Sequence, residues 1–172
     1  KSMGILSGDP KKQPLHYGEI ASIWAYLLAA KSNYATYQTF LNHCGDQDLK
    51  KQLDDGISLI KQESERIEEI LKVNGIALPP SPPERSYATL EDIPVGARFN
   101  DAEISAAISA NIAKCLVACS TIIGQSTRED IAMLFGQFHM NQAQAGAKML
   151  RLNKDKGWLV TPPLHTNIPT KQ

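Results

Sequence analysis

The 172-residue sequence predicts an all-α fold, a four-helix bundle with a long proline-rich crossover between helices 2 and 3. Three observations predict it. Four stretches repeat apolar residues at alternating steps of three and four, the mark of one buried helix face. Very short breaks join the first stretch to the second and the third to the fourth, which forces antiparallel hairpins. Between the hairpins lies a proline-rich run of about 20 residues, enough extended chain to travel the length of a helix.

The first helix is expected over about 15–43, where His16, Ile20, Ile23, Leu27, Ala30, Tyr34, Tyr37 and Leu41 make one stripe. Gly45 supplies a stop, and Asp46 or Asp48 can cap the next helix. That second helix, about 47–74, buries Leu49, Leu53, Ile57, Ile60, Ile67 and Ile70 or Leu71, and Gly75 ends it.

Residues 76–99 contain four prolines between Pro79 and Pro83, then Pro94. Proline removes a backbone donor and disfavours helix in the residue before it. The segment is read as an extended crossover anchored by Ile76, Leu78, Tyr87, Leu90, Ile93 and Phe99. A plain linker, in an up-down-up-down bundle, is the competing reading.

The third helix, about 101–123, opens with Asn100 and Glu103 at capping-box spacing. Its stripe is Ile104, Ile108, Ile112, Cys115, Cys119 and Ile122, and Gly124 is expected to end it. Ser126 and Glu129 offer a second capping-box pair for the fourth helix, about 127–153. Ile131, Phe135, Phe138, Gln142, Ala145, Met149 and Leu152 form that stripe, and an extended tail over 158–172 follows, pinned by Trp158 and Leu159. With the crossover included, the bundle is of ferritin-like type, a single domain over 1–172.

Composition excludes several functions. Eighteen basic residues balance eighteen acidic ones, so no nucleic-acid partner is implied. No uninterrupted apolar run reaches the roughly 18 residues of a membrane span, and no membrane partner is expected. The first residues lack the apolar length of a secretory signal, and Cys44, Cys115 and Cys119 show no disulfide framework; both fit a cytoplasmic location. There is no nucleophile elbow, phosphate-binding glycine loop or dinucleotide fingerprint. His43 and Cys44 are adjacent and point about 100° apart on a helix, poor geometry for a nucleophile and its base. The chain is therefore read as non-catalytic, with no cofactor.

Metal is the alternative. Di-iron bundles use a glutamate from each of two helices and Glu-x-x-His from each of the other two. This sequence has no Glu-x-x-His, and "HYGE" is the reversed order. Four residues remain as candidate ligands for a divalent ion such as zinc, iron or manganese: His139, Glu63, His16 and Glu19. With a crossover, Glu63 and His139 fall at similar depth, whereas His16 and Glu19 lie more than about 10 Å away at 1.5 Å of rise per residue. A zinc ion needs three or four ligands, so the set is weak. The competing reading makes His139 a neutral core imidazole bonded to Glu63, Gln142 or a tyrosine.

The stretches "LHYGEIASIWAYL", "YQTFLNHCGDQDLKKQL", "LEDIPVGARFNDAEI", "GQSTREDIAMLFGQFHMNQAQ" and "LRLNKDKGWLVTPPLH" together resemble a family of ferritin-like proteins of spore-forming bacilli, related to the coat-F type of spore coat protein. The resemblance runs from about Leu15 to His165. It implies a ferritin-like bundle and a structural or interaction role, in the spore coat or its formation, alongside other spore coat proteins. A metal- or small-molecule-binding bundle without the usual di-iron motif is the alternative function. A homodimer is also expected, because Trp24, Tyr26, Leu28 and Phe40 make the first helix apolar off its main stripe.

Overall fold

The computed structural model describes residues 13–166. The first twelve residues, and residues 167–172 of the expected tail, lie outside the described residues. Four long helices dominate: α1 (Tyr17–His43), α2 (Gln47–Val73), α3 (Asp101–Gln125) and α4 (Glu129–Asp155). Two single turns of 3-10 helix, Leu90–Asp92 and Val95–Ala97, interrupt the segment before α3, and there is no strand among the described residues.

Each helix packs on two others, α1 on α2 and α3, α4 on α3 and α2. Two groups of buried side chains fill the two ends. Ile23, Leu27, Ile67, Leu71, Cys119, Ile122, Ile131, Phe135 and Phe138 occupy the end where α1 starts. Phe40, Leu49, Leu53, Ile104, Ile108, Met149 and Leu152 occupy the other. Apart from Phe40, which the sequence puts off the α1 stripe, these are the sequence stripes, turned inward. Fully burying one such side chain stabilises by about 1.5–3 kcal/mol.

Ends and breaks follow local chemistry. Gly75 and Gly157 take φ of +70° and +71°, where a Cβ is strained. After each, a backbone N–H reaches back five residues: Ile76 to the Leu71 carbonyl, and Trp158 to the Asn153 carbonyl. Both are Schellman ends. Asp46 caps α2 by accepting the Leu49 N–H at 2.9 Å. Asn100 and Glu103 form the expected capping box on α3.

Two expectations fail. α3 does not stop at Gly124 but runs to Gln125, with Ser126 closing it. The Ser126–Glu129 box does not form: Ser126 Oγ bonds back to the Ile122 carbonyl, and Arg128 sits at the N-cap of α4 without a side-chain cap. α3 with the turn before it (Val95–Gln125) has the length and mean hydropathy of a membrane span, although Ser105, Ser109, Asn111, Lys114 and Ser120 interrupt its apolar run. Its character comes from alanine spaced among isoleucines, and its isoleucine stripe buries against the other helices.

Residues 76–99 follow α1 along its length. Trp24 Nε1 donates to the Ala77 carbonyl, Lys31 Nζ to Pro79, and Asn42 Nδ2 to Ser86. The Arg85 N–H donates to Gln38 Oε1, the Ala88 N–H to Asn42 Oδ1, and the Phe99 N–H to His43 Nδ1. α3 therefore starts beside the end of α1, where the Gly45 N–H reaches Asp101. Of the expected apolar anchors, Tyr87 is not one: it is 86 % exposed. Phe99 stacks edge-on against Phe40 and His43.

Candidate functional site

Between the two packed ends lies a cavity of about 950 Å³ lined by all four helices. Its rim reaches the surface at Ala25 and Ala29 of α1 facing Thr121 of α3, and at Asp55 of α2 facing Lys148 of α4. Gly56 lies in its wall, where a Cβ would stand in tight contact, 3.3 Å, with the Tyr37 ring.

Glu63 is the buried carboxylate of this cavity, 4 % exposed. Its Oε2 accepts from the Tyr26 hydroxyl at 3.3 Å and lies 3.5 Å from Gln142 Nε2. Its Oε1 makes no hydrogen bond among the described residues. Burial pushes this carboxyl up to about 7, and Asn141, Tyr26 and Gln142 draw it partly back. The Tyr26 phenol is driven far above its ordinary range, by burial first and Glu63 second. Cys119 donates to that phenol at 3.7 Å. Burial holds Cys115 and Cys119 at about 11, so neither thiol is a ready nucleophile. Cys44, outside the cavity, is pushed up to about 12 by burial and Asp101.

A second polar pair lies further along the cavity. Asn111 Nδ2 donates to the Tyr37 hydroxyl at 2.9 Å, and burial raises that phenol to about 12. Ile60, Ile112 and Ala145 line the wall with apolar atoms.

The four candidate metal ligands separate. His139 is half-buried and makes no hydrogen bond or ion pair among the described residues, so the expected bond to Glu63, Gln142 or a tyrosine is not made. Gln142 takes the place beside Glu63, one helical turn on. His16 and Glu19 are caps at the far end. His16 Nδ1 accepts the Glu19 N–H at 3.1 Å while Glu19 Oε1 accepts the His16 N–H at 3.0 Å. His16 Nε2 then donates to the Gln125 carbonyl, a pairing that requires the neutral Nε2–H tautomer. Glu19 is fully buried, and its Oε2 also accepts the N–H groups of Thr127 and Arg128. It thus closes the N-termini of α1 and α4 together. No group of three or more His, Cys, Asp or Glu side chains suited to a metal occurs among the described residues.

The argument for a dimer through α1 loses its residues. Tyr26 and Phe40 point into the core, and Trp24 is half-buried with its indole N–H on the Ala77 carbonyl. Leu28 stays at the surface, 37 % exposed.

The sequence places Tyr37 on the α1 stripe and Glu63, Asn111 and Gln142 on or near the stripes of α2, α3 and α4, but it sets Tyr26 off the α1 stripe. Tyr26 lies off the 3–4 stripe of α1, yet only three residues after Ile23, which was signal enough to place it inward.

The profile of DUF3231, described as a protein of unknown function, matches residues 3–170. The chain belongs to the DUF3231 family. Within reach of this family stand two close relatives. YvdQ, an uncharacterised protein of Bacillus subtilis, is 54 % identical over 163 residues, covering 95 % of this chain and 96 % of that protein. The crystal structure of a candidate spore coat protein from Bacillus halodurans is 55 % identical and superposes with a TM-score of 0.91. It covers 92 % of this chain and 100 % of that one. The helical fold of this DUF3231 member is therefore that of the B. halodurans protein.

Proposed function

We propose that this DUF3231 protein is a non-catalytic structural and interaction protein of the spore coat, built on a ferritin-like bundle related to the coat-F type. The observation that carries the reading is the likeness to the B. halodurans protein, 55 % identical across all of that chain. The run of hydrogen bonds from Ala77 to Phe99 along α1 supports a crossover of ferritin-like type, with α2 and α3 running the same way. The unreactive thiols and the dispersed carboxylates support a non-catalytic role. We include self-association in the proposal, through a face other than Tyr26 and Phe40, because a coat is an assembly.

Immunogold labelling of sporulating cells with an antibody to this chain tests it. Label concentrated on the coat layers is expected; label spread through the mother-cell cytoplasm overturns it. Sedimentation at high micromolar concentration tests self-association, and a monomer there removes it.

A second reading, a small-molecule-binding bundle, is favoured by one observation: the cavity with Glu63 Oε1 facing it unpartnered.

A further inference from the structure

Glu63 Oε1 is a buried carboxylate oxygen with no hydrogen-bond donor among the described residues. Glu63 is buried, yet no lysine, arginine or histidine pairs with it among the described residues. Leaving a buried charge unpaired is costly, and so is leaving a buried acceptor unmade. One carboxylate oxygen faces Tyr26 and Gln142, and Asn141 stands close enough to stabilise the charged form, but Oε1 has no donor in hydrogen-bonding geometry among the described residues. An ionised carboxylate accepts only, so the complementary partner is an N–H or O–H donor, and a cation satisfies the charge as well.

The surroundings say which cation. A metal ion of the usual kind needs three or four ligands, and no such group is at hand. Carboxamides and a phenol flank Glu63, while Ile60, Ile112 and Ala145 make the wall beyond it. That wall suits methylene groups. Tyr37 packs beside Gly56, seven residues before Glu63, so the Tyr37–Asn111 pair stands about 10 Å further along at 1.5 Å per residue. The rim carries charges of both signs, Asp55 with Lys114 and Lys148, so selection for a cation rests on Glu63.

We propose that the cavity binds a primary organic amine in its ammonium form, the nitrogen donating to Glu63 Oε1 and a chain of methylenes lying along Ile60, Ile112 and Ala145 toward Tyr37. This rests on the second, small-molecule-binding reading and names its ligand class.

Titration calorimetry of the full chain at pH 7.5 with n-hexylamine, 1-hexanol, hexanoate and zinc chloride, each alone, tests it. Hexylamine is expected to bind at least about tenfold more tightly than hexanol, a difference of about 1.4 kcal/mol. Glu63→Gln, which keeps shape and removes charge, is expected to bring the two within about twofold. Ala145→Phe, which fills the cavity without touching Glu63, is expected to weaken both probes. Melting curves establish that both variants are folded. Equal binding of amine and alcohol to the wild type overturns the amine class but leaves a binding cavity. No binding of any organic probe overturns both. Zinc binding lost in Glu63→Gln, with no amine binding, replaces the proposal with a metal site. Hexylamine binding undiminished by Ala145→Phe puts the amine elsewhere and also overturns it.

Discussion

Glu19, in the first turn of α1, accepts the backbone N–H of Arg128, 109 residues later, at 3.0 Å. The same carboxylate accepts from His16 and Thr127, so three backbone donors at two helix starts depend on one buried side chain. This is why α4 needs no cap of its own.

Replacing Glu19 by alanine strands those three N–H groups. A loss of roughly 2–4 kcal/mol is expected from denaturant unfolding. Hydrogen exchange at Thr127 and Arg128 should quicken first. A loss below about 0.5 kcal/mol would mean that water replaces the carboxylate at little cost.

Glu63 makes stability depend on pH. Its folded carboxyl sits near 7, above the ordinary 4.5. Below about pH 4.5 the proton is on in both folded and unfolded chains, and nothing is lost. Between about 4.5 and 7 the unfolded chain ionises first, so the folded state weakens as pH rises. The full loss, of order 3 kcal/mol, is present above about pH 7. Glu63→Gln is expected to remove this slope and melt higher than wild type at pH 8. A parallel pH profile in the two proteins would count against a raised carboxyl.

His139→Gln is expected to change stability by no more than about 0.5 kcal/mol, because the ring is half-buried and bonds to nothing described. Thermal melts with and without zinc, manganese or iron check this. A saturable metal-dependent rise in Tm that His139→Gln abolishes would restore this histidine as a ligand.

Trypsin should cut slowly at Arg85 in the native protein. The Arg85 side chain is exposed, but its N–H is held by Gln38 and the neighbouring chain by Asn42. The double substitution Gln38→Ala and Asn42→Ala should speed cleavage several-fold. Immediate cleavage of the wild type would show that these bonds do not hold the segment.

The helices were legible because their signal is local: one apolar stripe reports one buried face, whatever it meets. Glu63 was legible as a polar residue on the edge of such a stripe. Its partners were not. His139 follows the buried Phe138 by one residue, about 100° round the helix, which turns it out of the contact that Gln142, four residues after Phe138, makes from the next turn. The start of α4 misled for another reason. Ser126 and Glu129 have the right spacing, but Ser126 is already spent on Ile122. The acceptor that replaces it is Glu19, in another helix, and no spacing rule reaches that far.

The polar ties between the hairpins are densest at the two ends. Glu19, Ser22 and His16 hold Gln125, Thr127 and Arg128 at one. Gly45 holds Asp101, and Asp46 and Asp48 hold Lys156, at the other. Midway the ties are fewer and mostly longer, Asn111 to Tyr37, Cys119 to Tyr26 and Gln142 to Glu63, set among small side chains such as Ala25, Ala29 and Ala118. The array is mechanically like a beam fixed at both supports and lightly braced at mid-span. Long helices bow gently at low cost, so the slot beside Glu63 can widen by elastic flexure while every end tie stays made. Entry to the interior then demands no local unfolding, and its rate should follow the stiffness of α1 and α3 rather than the global stability of the protein.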